Sequence, residues 1–392
     1  MKTVSCVLKP GREKAVRAFH PWVFSGAIDL IDEVYHPGDL VRVLSSDEKF
    51  LGIGYLNPHS QITIRMLAFE DCAINADFFL RKIQSAQELR RRFIPADTTG
   101  YRLIHSEGDF LPGLIVERYG DFLVAQFLTA GMTLWKEILS ELLRGVSGVR
   151  GLYERSDAEA MGKEGLETQS GLLWGRELPE LIDFKENGFQ FLADVREGQK
   201  SGFFFDQRDN RALVGSLCAG KKVLNCFSYT GAFSVYAAGG GAKQVVSIDS
   251  SADAIDMARL HLDKNGFAAK DMPCLQDDVF RFLREDTALY DVIVLDPPAF
   301  CKKKDQVPHA ARGYKDINLL AFKKLAPGGL LFTASCSSFI DPDLFQKIIF
   351  GAAKDAGRLV RVLKRTGHSA DHPVNIYHPE GEYLKGLLCQ VL

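Results

Sequence analysis

Short apolar runs alternate with polar clusters through the second half of the chain. The runs occupy residues 223–224, 245–248, 292–295 and 330–333, and helical patterns separate them. Strand, turn and helix repeated in this order indicate a parallel sheet with helices on both faces. The pattern therefore predicts an α/β domain in the second half of the chain.

Alternating apolar and polar positions dominate the first 70 residues. They form three short segments at residues 40–44, 50–56 and 62–66, separated by polar or glycine turns. Alternation of this kind predicts the strands of a small β domain. Over residues 77–92 the apolar positions recur near the helical period instead, which predicts a helix that links this domain to the next.

A central α+β domain is expected after that helix. Its predicted order is strand, strand, helix, strand, strand, at residues 113–117, 122–128, 134–142, 151–154 and 172–174. Leu134, Ile138 and Leu142 recur at four-residue intervals in the helix, and the last strand is expected to pair with residues 189–192. The chain of 392 residues exceeds one ordinary core, so we predict three domains at residues 1–72, 73–185 and 186–392.

Composition narrows the class of protein. No apolar run is long enough to span a bilayer, and the N-terminus lacks the apolar stretch of a secretory signal, so a cytoplasmic location is expected. Eight cysteines without a Cys-x-x-Cys pair argue against zinc or another metal. The net charge of −2 excludes a global basic field, although residues 1–20 are locally basic.

Polar residues follow the first strands of the predicted sheet. The segment after the first strand contains Asn225, Phe227, Ser228, Tyr229, Thr230 and Gly231. Ligands bind at the carboxyl ends of parallel strands, and a glycine turn before a helix lets the backbone approach them closely. Asp249 at the next strand end can accept hydrogen bonds from ribose hydroxyls. Ser250, beside it, is a further cofactor candidate and is also expected to cap the following helix.

Asp278 is a further cofactor candidate. At the third strand end its carboxylate can accept from an adenine amino group while Phe280 packs on the ring. The alternative for Asp277 and Asp278 is a structural helix N-cap.

The sequence Asp296-Pro297-Pro298-Ala299-Phe300 is more specific. Two prolines after a buried strand hold the chain extended and supply no amide donors. The carboxylate of Asp296 can then bind the edge of a flipped nucleobase, while Phe300 offers a stacking surface. The alternative is that this motif only ends the strand and begins a loop, without a functional role.

Cys336 follows the fourth strand, between serines. A buried cysteine is usually a small apolar core residue. A thiolate at this strand end, however, could add to C6 of cytosine and activate C5 to accept a methyl group, with Cys336 as nucleophile. Cys226 and Cys301 compete for this role, and we interpret both as packing residues.

These motifs together resemble those of the bacterial 23S ribosomal RNA cytosine-C5 methyltransferases. Gly11 to Lys14 and His20 to Gly26 resemble the PUA domain of that family, an RNA-binding β barrel, and the middle domain is similar to its central domain. The resemblance implies a Rossmann-like class I methyltransferase domain, S-adenosylmethionine as cofactor and 23S ribosomal RNA as partner. A homodimer is left open.

The resemblance also implies roles for individual residues. Residues 200–208 resemble the motif that lies near the methionine end of S-adenosylmethionine, which adds the cofactor candidates Lys200, Asp206, Gln207 and Arg208. Asp296 is expected to contact both the cofactor and the substrate base. The residues expected to contact RNA are Pro297, Pro298, Phe300, Arg12, Lys14, Trp22 and Lys302.

Three other functions are considered. A hydride-transferring Rossmann enzyme is disfavoured because the Gly-x-Gly-x-x-Gly fingerprint is missing. A methyltransferase acting on an exocyclic amino group would need the Asp-Pro-Pro-Phe turn but no thiol. A non-catalytic RNA-binding assembly factor would keep the fold without binding the cofactor.

Overall fold

The computed structural model describes residues 3–32, 34–196, 198 and 202–392. The chain divides into two compact units. Unit 1 contains residues 1–187, 193–205 and 370–381, and unit 2 contains residues 188–192, 206–369 and 382–392.

Unit 1 begins with a six-stranded sheet in the order β2-β6-β5-β4-β1-β3. Its elements are β1 (Thr3–Leu8), α1 (Lys14–Arg17), β2 (Trp22–Phe24), β3 (Ile28–Ile31), β4 (Leu40–Leu44), β5 (Phe50–Leu56) and β6 (Ile62–Ala68). Strands β1 and β4 run parallel, whereas the other neighbours are antiparallel. The three predicted strands are confirmed as β4, β5 and β6. Each buries one face in a common core.

A second sheet of unit 1 has the order β11-β10-β9-β8-β7. The elements are α2 (Ala76–Phe93), β7 (Gly100–His105), β8 (Leu114–Tyr119), β9 (Phe122–Phe127), α3 (Ala130–Leu134), α4 (Lys136–Leu143), β10 (Gly151–Arg155), α5 (Ala158–Lys163), β11 (Ser170–Gly175) and β12 (Ile182–Glu186). The predicted linking helix is α2, which Asn75 caps by accepting from the amide of Phe78 at 3.0 Å. One core joins α2 to strands of both sheets.

Three predictions for this region are wrong in detail. Strand β7 was missed because a bulge between Arg102 and Ile104 interrupts its alternation. Strand β11, predicted to pair with residues 189–192, pairs with β10 instead. The apolar stripe of the helical region is also shifted: Leu134 and Ile138 are exposed, and the buried stripe is one residue further along, at Trp135, Leu139 and Leu143.

Unit 2 contains a seven-stranded sheet in the order β16-β15-β14-β17-β18-β20-β19. The elements are β13 (Phe189–Ala193), α6 (Arg208–Gly215), β14 (Lys222–Cys226), α7 (Ala232–Gly239), β15 (Gln244–Asp249), α8 (Ala252–Lys264), β16 (Cys274–Gln276), α9 (Val279–Glu285), β17 (Tyr290–Leu295), α10 (Val307–Lys324), β18 (Leu325–Ser335), α11 (Pro342–Asp355), β19 (Val360–Thr366) and β20 (Lys385–Val391).

All four predicted apolar runs are strands of this sheet, in β14, β15, β17 and β18. These four and β16 run parallel, and β20 is antiparallel to both of its neighbours. The sheet is therefore mixed at one side rather than parallel throughout. Within the described residues, no helix combines the length and the apolar character needed to cross a bilayer.

Candidate active site

The register of the sheet brings the predicted motifs to one edge. Cys226 lies opposite both Ile248 and Leu295, and Leu295 lies opposite Thr333. Because these strands are parallel, the residues that follow them meet at the same edge. Asp296 follows β17 and Cys336 follows the adjacent strand β18, so the two candidate catalytic residues come from neighbouring strand ends.

The turn between β14 and α7 requires glycine at one position. Gly231 has a φ of +75°, and a Cβ there would lie 2.7 Å from the Cβ of Ala258 in α8. Phe227 and Tyr229 also adopt positive φ, at 56° and 46°. Such conformations are costly for residues with a side chain and are found where the surrounding structure enforces them, often at ligand sites.

Buried oxygen atoms of this turn lack partners among the described residues. They are the side-chain oxygens of Ser228 and Thr230 and the Oδ1 of Asn225. The side-chain amide nitrogen of Asn225 donates to Ser234 Oγ at 2.9 Å, and the Ser234 hydroxyl in turn contacts that of Ser247. The side-chain nitrogen of Asn225 therefore serves the packing of the sheet, whereas its Oδ1 and the two hydroxyls can bond a ligand.

Asp249 is held at the end of β15 by backbone amides. Tyr229 donates to its Oδ2 at 2.8 Å and Ser251 donates to its Oδ1 at 3.0 Å. A carboxylate has about four acceptor positions, so capacity for ligand hydroxyls remains. The cap of α8 is Ser251, which accepts from the amide of Ala254, and not the predicted Ser250. Ser250 is exposed because the helix begins one residue later than expected.

His261 links helix α8 to the same turn, a role that sequence reasoning missed. Its Nδ1 lies 2.7 Å from the carbonyl oxygen of Thr230, and its Nε2 accepts from the amide of Leu192 at 2.9 Å. Thr230 offers a carbonyl, so we assign the ring proton to Nδ1. Burial lowers the pKa of His261 to about 4, which keeps the ring neutral.

Asp278 acts as the N-cap of α9. Its Oδ1 accepts from the amide of Arg281 at 2.8 Å, as the structural alternative anticipated. The side chain is exposed, and Asp277 instead pairs with the Arg281 guanidinium. Capping does not use the whole carboxylate, so a cofactor role for Asp278 stays a prediction.

Gln207, the residue before α6, contacts the Asp-Pro-Pro turn. Gln207 donates to Asp296 Oδ1 at 2.8 Å and accepts at its own Oε1 from Asn210. Asp206 accepts from the hydroxyl of Tyr383 at 2.6 Å. Arg208 is buried, with its Nε 3.3 Å from Asp209. Lys200 lies outside the described residues.

The Phe300 ring belongs to an aromatic cluster. It packs against Tyr314 with a centroid distance of 4.7 Å, and Phe227 and Phe280 lie about 6.4 and 6.3 Å away. Phe300 is only half-buried, so part of its surface remains accessible. Pro297 is buried and Pro298 is exposed.

Hydrogen bonds on both sides hold the turn that carries Cys336. The Tyr314 hydroxyl lies 2.9 Å from Ser335 Oγ and 3.0 Å from Ser337 Oγ. Lys385, opposite Ser335 in the register, donates to the carbonyl of Ser337 at 2.6 Å. Sequence reasoning missed the roles of Tyr314 and Lys385, because neither is near Cys336 along the chain.

The competing thiols are less accessible than Cys336. Cys226 and Cys301 are buried, whereas Cys336 is half-buried. Burial raises the pKa of Cys226, which disfavours the thiolate. Cys301 donates through its Sγ to the carbonyl of Lys303 at 3.1 Å. Both observations agree with packing roles.

The residues expected to contact RNA differ in their surroundings. Arg12 and Lys14 in unit 1 and Lys302 in unit 2 are exposed. Trp22 is half-buried: its indole donates to Glu107 at 2.8 Å and its ring lies 4.3 Å from that of His378. Arg12 and Trp22 line one cavity of about 290 Å³.

Comparison with known families assigns the class. Residues 166–374 match the model of the S-adenosylmethionine-dependent methyltransferases, and residues 7–69 match that of a PUA-like domain. Together with the strand-end site, these matches define an S-adenosylmethionine-dependent methyltransferase with a PUA-like domain. The predicted fold class and cofactor are thereby confirmed.

Curated relatives narrow this class to one family. Proteins named ribosomal RNA large subunit methyltransferase I are 44% identical in Aeromonas salmonicida, over 98% of this chain and 99% of theirs, and 45% identical in Aliivibrio fischeri, over 100% of both. A third, from Shewanella denitrificans, is 46% identical over 98% of both chains. The chain belongs to the ribosomal RNA large subunit methyltransferase I family.

Solved structures agree with the methyltransferase class. A putative methyltransferase complexed with SAH has a TM-score of 0.84 at 25% identity, covering 100% of both chains. A putative SAM-dependent methyltransferase from Streptococcus mutans has a TM-score of 0.83 at 25% identity, covering 99% of this chain and 100% of its own.

Proposed function

We propose that this chain methylates C5 of a cytosine in the RNA of the large ribosomal subunit. The names of its relatives support the class of acceptor. The observation that carries the choice of C5 is the placement of Asp296 and of Cys336, a half-buried thiol, after the ends of adjacent strands. Ribosomal RNA as acceptor implies a cytoplasmic enzyme.

Cys336 supplies the activation that cytosine needs. Its thiolate adds to C6, and the electrons of the C5–C6 double bond make C5 a nucleophile. S-adenosylmethionine supplies the methyl group from a sulfonium centre. A base then removes the C5 proton, the double bond re-forms, and the bond between sulfur and C6 breaks to release the Cys336 thiolate. Asp296, oriented by Gln207, hydrogen-bonds the base edge during these steps.

The chain's own residues fit the cofactor. The unpartnered hydroxyls of Ser228 and Thr230 match its polar groups, and Asp249 has capacity for the ribose hydroxyls. The other cofactor contacts stay predictions, at Lys200, Asp206, Gln207, Arg208, Asn225, Phe227, Tyr229, Gly231, Ser250, Asp278 and Asp296.

Exposed basic residues support binding to the RNA backbone. Arg12, Lys14 and Lys302 can each neutralise a phosphate, which releases counterions. Apparent RNA affinity should therefore fall steeply as salt rises. A flat salt response would remove this part of the proposal.

The test is nucleoside mass spectrometry of unmodified large-subunit RNA incubated with the protein and labelled S-adenosylmethionine. We expect labelled 5-methylcytidine from the wild type and none from Cys336→Ala. Cys301→Ala is the matched control, a second thiol near the site, and should retain product without accumulating a covalent RNA adduct.

Other products would select the alternative functions. Labelled methyladenosine or methylguanosine that survives Cys336→Ala would indicate an amino-group acceptor and a packing role for this cysteine. No label, together with no S-adenosylmethionine binding by calorimetry, would favour an RNA-binding assembly factor.

A further inference from the structure

A cavity of about 600 Å³ lies within unit 1, built from residues that the proposed reaction does not use. Its lining includes residues that follow α1, residues of α2 and residues of the segment 370–381. This volume falls within the usual range for small-molecule sites, roughly 300–1,000 Å³.

Three exposed aromatic side chains line this cavity. Phe19, Phe110 and Tyr377 are 46%, 43% and 44% exposed. The ring of Phe19 lies 5.2 Å from that of Tyr377 and 5.3 Å from that of Phe69, so these three rings are in contact through Phe19, and Phe110 lines the same cavity. Clustered exposed rings leave apolar area in water that a flat ligand would cover.

Two of these phenylalanines have a strained backbone. Phe19 has a φ of 62° and Phe110 a φ of 57°, in the left-handed region that bulky residues rarely adopt. Backbone hydrogen bonds enforce both conformations: the amide of Phe19 donates to Val16 at 2.9 Å, and that of Phe110 donates to Glu107 at 3.2 Å. Strain of this kind clusters at ligand clamps.

Lys82 adds a positive charge to the aromatic surface. Its ammonium group lies 5.0 Å from the centre of the Phe110 ring, and the described residues provide it with no hydrogen bond or ion pair. Burial lowers the pKa of Lys82, Glu70 and Cys72 raise it, and Arg81 lowers it; Glu70 and Arg81 also line the cavity. A partly desolvated cation to which no carboxylate is directly bonded would gain from binding an anion.

The aromatic rings could stack on the base of a nucleotide, and the lysine could bind its phosphate. We propose that this cavity binds an unpaired nucleotide of the RNA substrate, with its base against Phe19, Phe110 and Tyr377 and its phosphate at Lys82. The inference rests on the proposed RNA substrate, but it concerns a nucleotide other than the methylated cytosine. Single-stranded RNA is commonly held through aromatic stacking and backbone phosphates in this way.

The test measures binding of an unmodified 23S ribosomal RNA transcript by filter binding, with S-adenosylhomocysteine present, over a series of salt concentrations. Phe110→Gly removes the ring and also relieves the backbone strain, so the variant is expected to fold. It should weaken binding roughly tenfold at every salt concentration. Lys82→Met should also weaken binding and should reduce the slope of log affinity against log salt by about one.

Matched controls are Phe350→Ala and Lys270→Met, an exposed phenylalanine and an exposed lysine of unit 2, which should leave both affinity and slope unchanged. The inference is wrong if Phe110→Gly and Lys82→Met bind the transcript as tightly as the wild type. In that case the cavity would hold something other than RNA, such as a protein side chain. A wild type that binds the transcript without forming 5-methylcytidine would overturn the proposed reaction alone.

Discussion

The side-chain amide of Gln207 donates to a carboxylate oxygen of Asp296 at 2.8 Å, although the two residues are 89 positions apart. This bond sets the direction of the carboxylate that we propose binds the cytosine edge. Hydrogen bonds to charged groups contribute roughly 1.5–3 kcal/mol.

Gln207→Leu should therefore lower kcat by roughly ten- to hundredfold. Steady-state kinetics with the RNA transcript would measure this effect. Gln390→Leu, at a half-buried glutamine of β20 outside the site, is the control and should be close to wild type. An unchanged kcat in a folded Gln207→Leu protein would contradict the role assigned to the bond.

Lys385 should favour the thiolate of Cys336. The ammonium binds the carbonyl of Ser337, the residue after Cys336, and burial lowers the pKa of this lysine against the opposing effects of Cys336, Asp341 and Glu382. Removing a nearby positive charge disfavours an anion. In Lys385→Met, the pH profile of Cys336 alkylation by iodoacetamide should consequently move to higher pH.

Three further variants make this measurement specific. Lys385→Arg keeps the charge and should restore most of the alkylation rate, whereas Lys364→Met removes an exposed lysine of β19 and should have no effect. Cys336→Ala identifies the signal of this thiol among the others. Coincident pH profiles for the wild type and Lys385→Met would show that the lysine only supports the fold.

His261 should make the stability of unit 2 depend on pH. The unfolded chain takes up this proton below a pKa of 6.5, whereas the folded chain resists protonation until a pKa of about 4. The unfolded state thus binds more protons in between, and the free energy of unfolding falls as the pH drops through this window. The full loss would be roughly 3 kcal/mol.

Urea unfolding followed by circular dichroism, at pH about 7 and about 5, would measure this loss. His261→Gln retains a donor and an acceptor but does not titrate, so its stability should change less between the two conditions. His36→Gln alters an exposed histidine and should follow the wild type. Equal pH dependence in all three proteins would refute the assignment.

Gly231→Ala should destabilise the fold and weaken cofactor binding. The new methyl group would meet Ala258 at 2.7 Å in addition to the strain of a positive φ. Gly266 has nearly the same φ, +77°, with nothing within 4 Å of a new Cβ, so Gly266→Ala isolates the conformational cost of roughly 1–2 kcal/mol.

Urea unfolding and calorimetric titration with S-adenosylmethionine would compare the two glycine variants. We expect Gly231→Ala to lose more stability than Gly266→Ala and to be the variant with reduced cofactor affinity. Equal losses in stability would mean that helix α8 moves aside at little cost.

Local patterns predicted many elements because their signals lie close together in sequence. Strands β14, β15, β17 and β18 combine an apolar run with a polar ending, and both features are local. Helix α2 was predicted to within one residue at each end, since its cap and its period are also local. The position of Cys336 after a strand could likewise be predicted from these local features alone.

Predictions that needed distant partners were less successful. The partner of β11 depends on which edge of the central sheet remains available, and the buried stripe at Trp135 and Leu139 depends on what packs against the helix. Two stripes one residue apart have the same period, so periodicity alone could not choose between them.

Sequence patterns alone established the α/β class, the order of the strand-end motifs and the candidate nucleophile. Folding was needed to show which distant side chains come together: Gln207 at Asp296 and Lys385 beside the Cys336 turn in unit 2, and the cavity lined by Lys82, Phe19, Phe110 and Tyr377 in unit 1. The physical reason is that strand and helix periods arise from neighbouring residues, whereas hydrogen bonds and cavities arise from residues that folding brings together from distant parts of the chain.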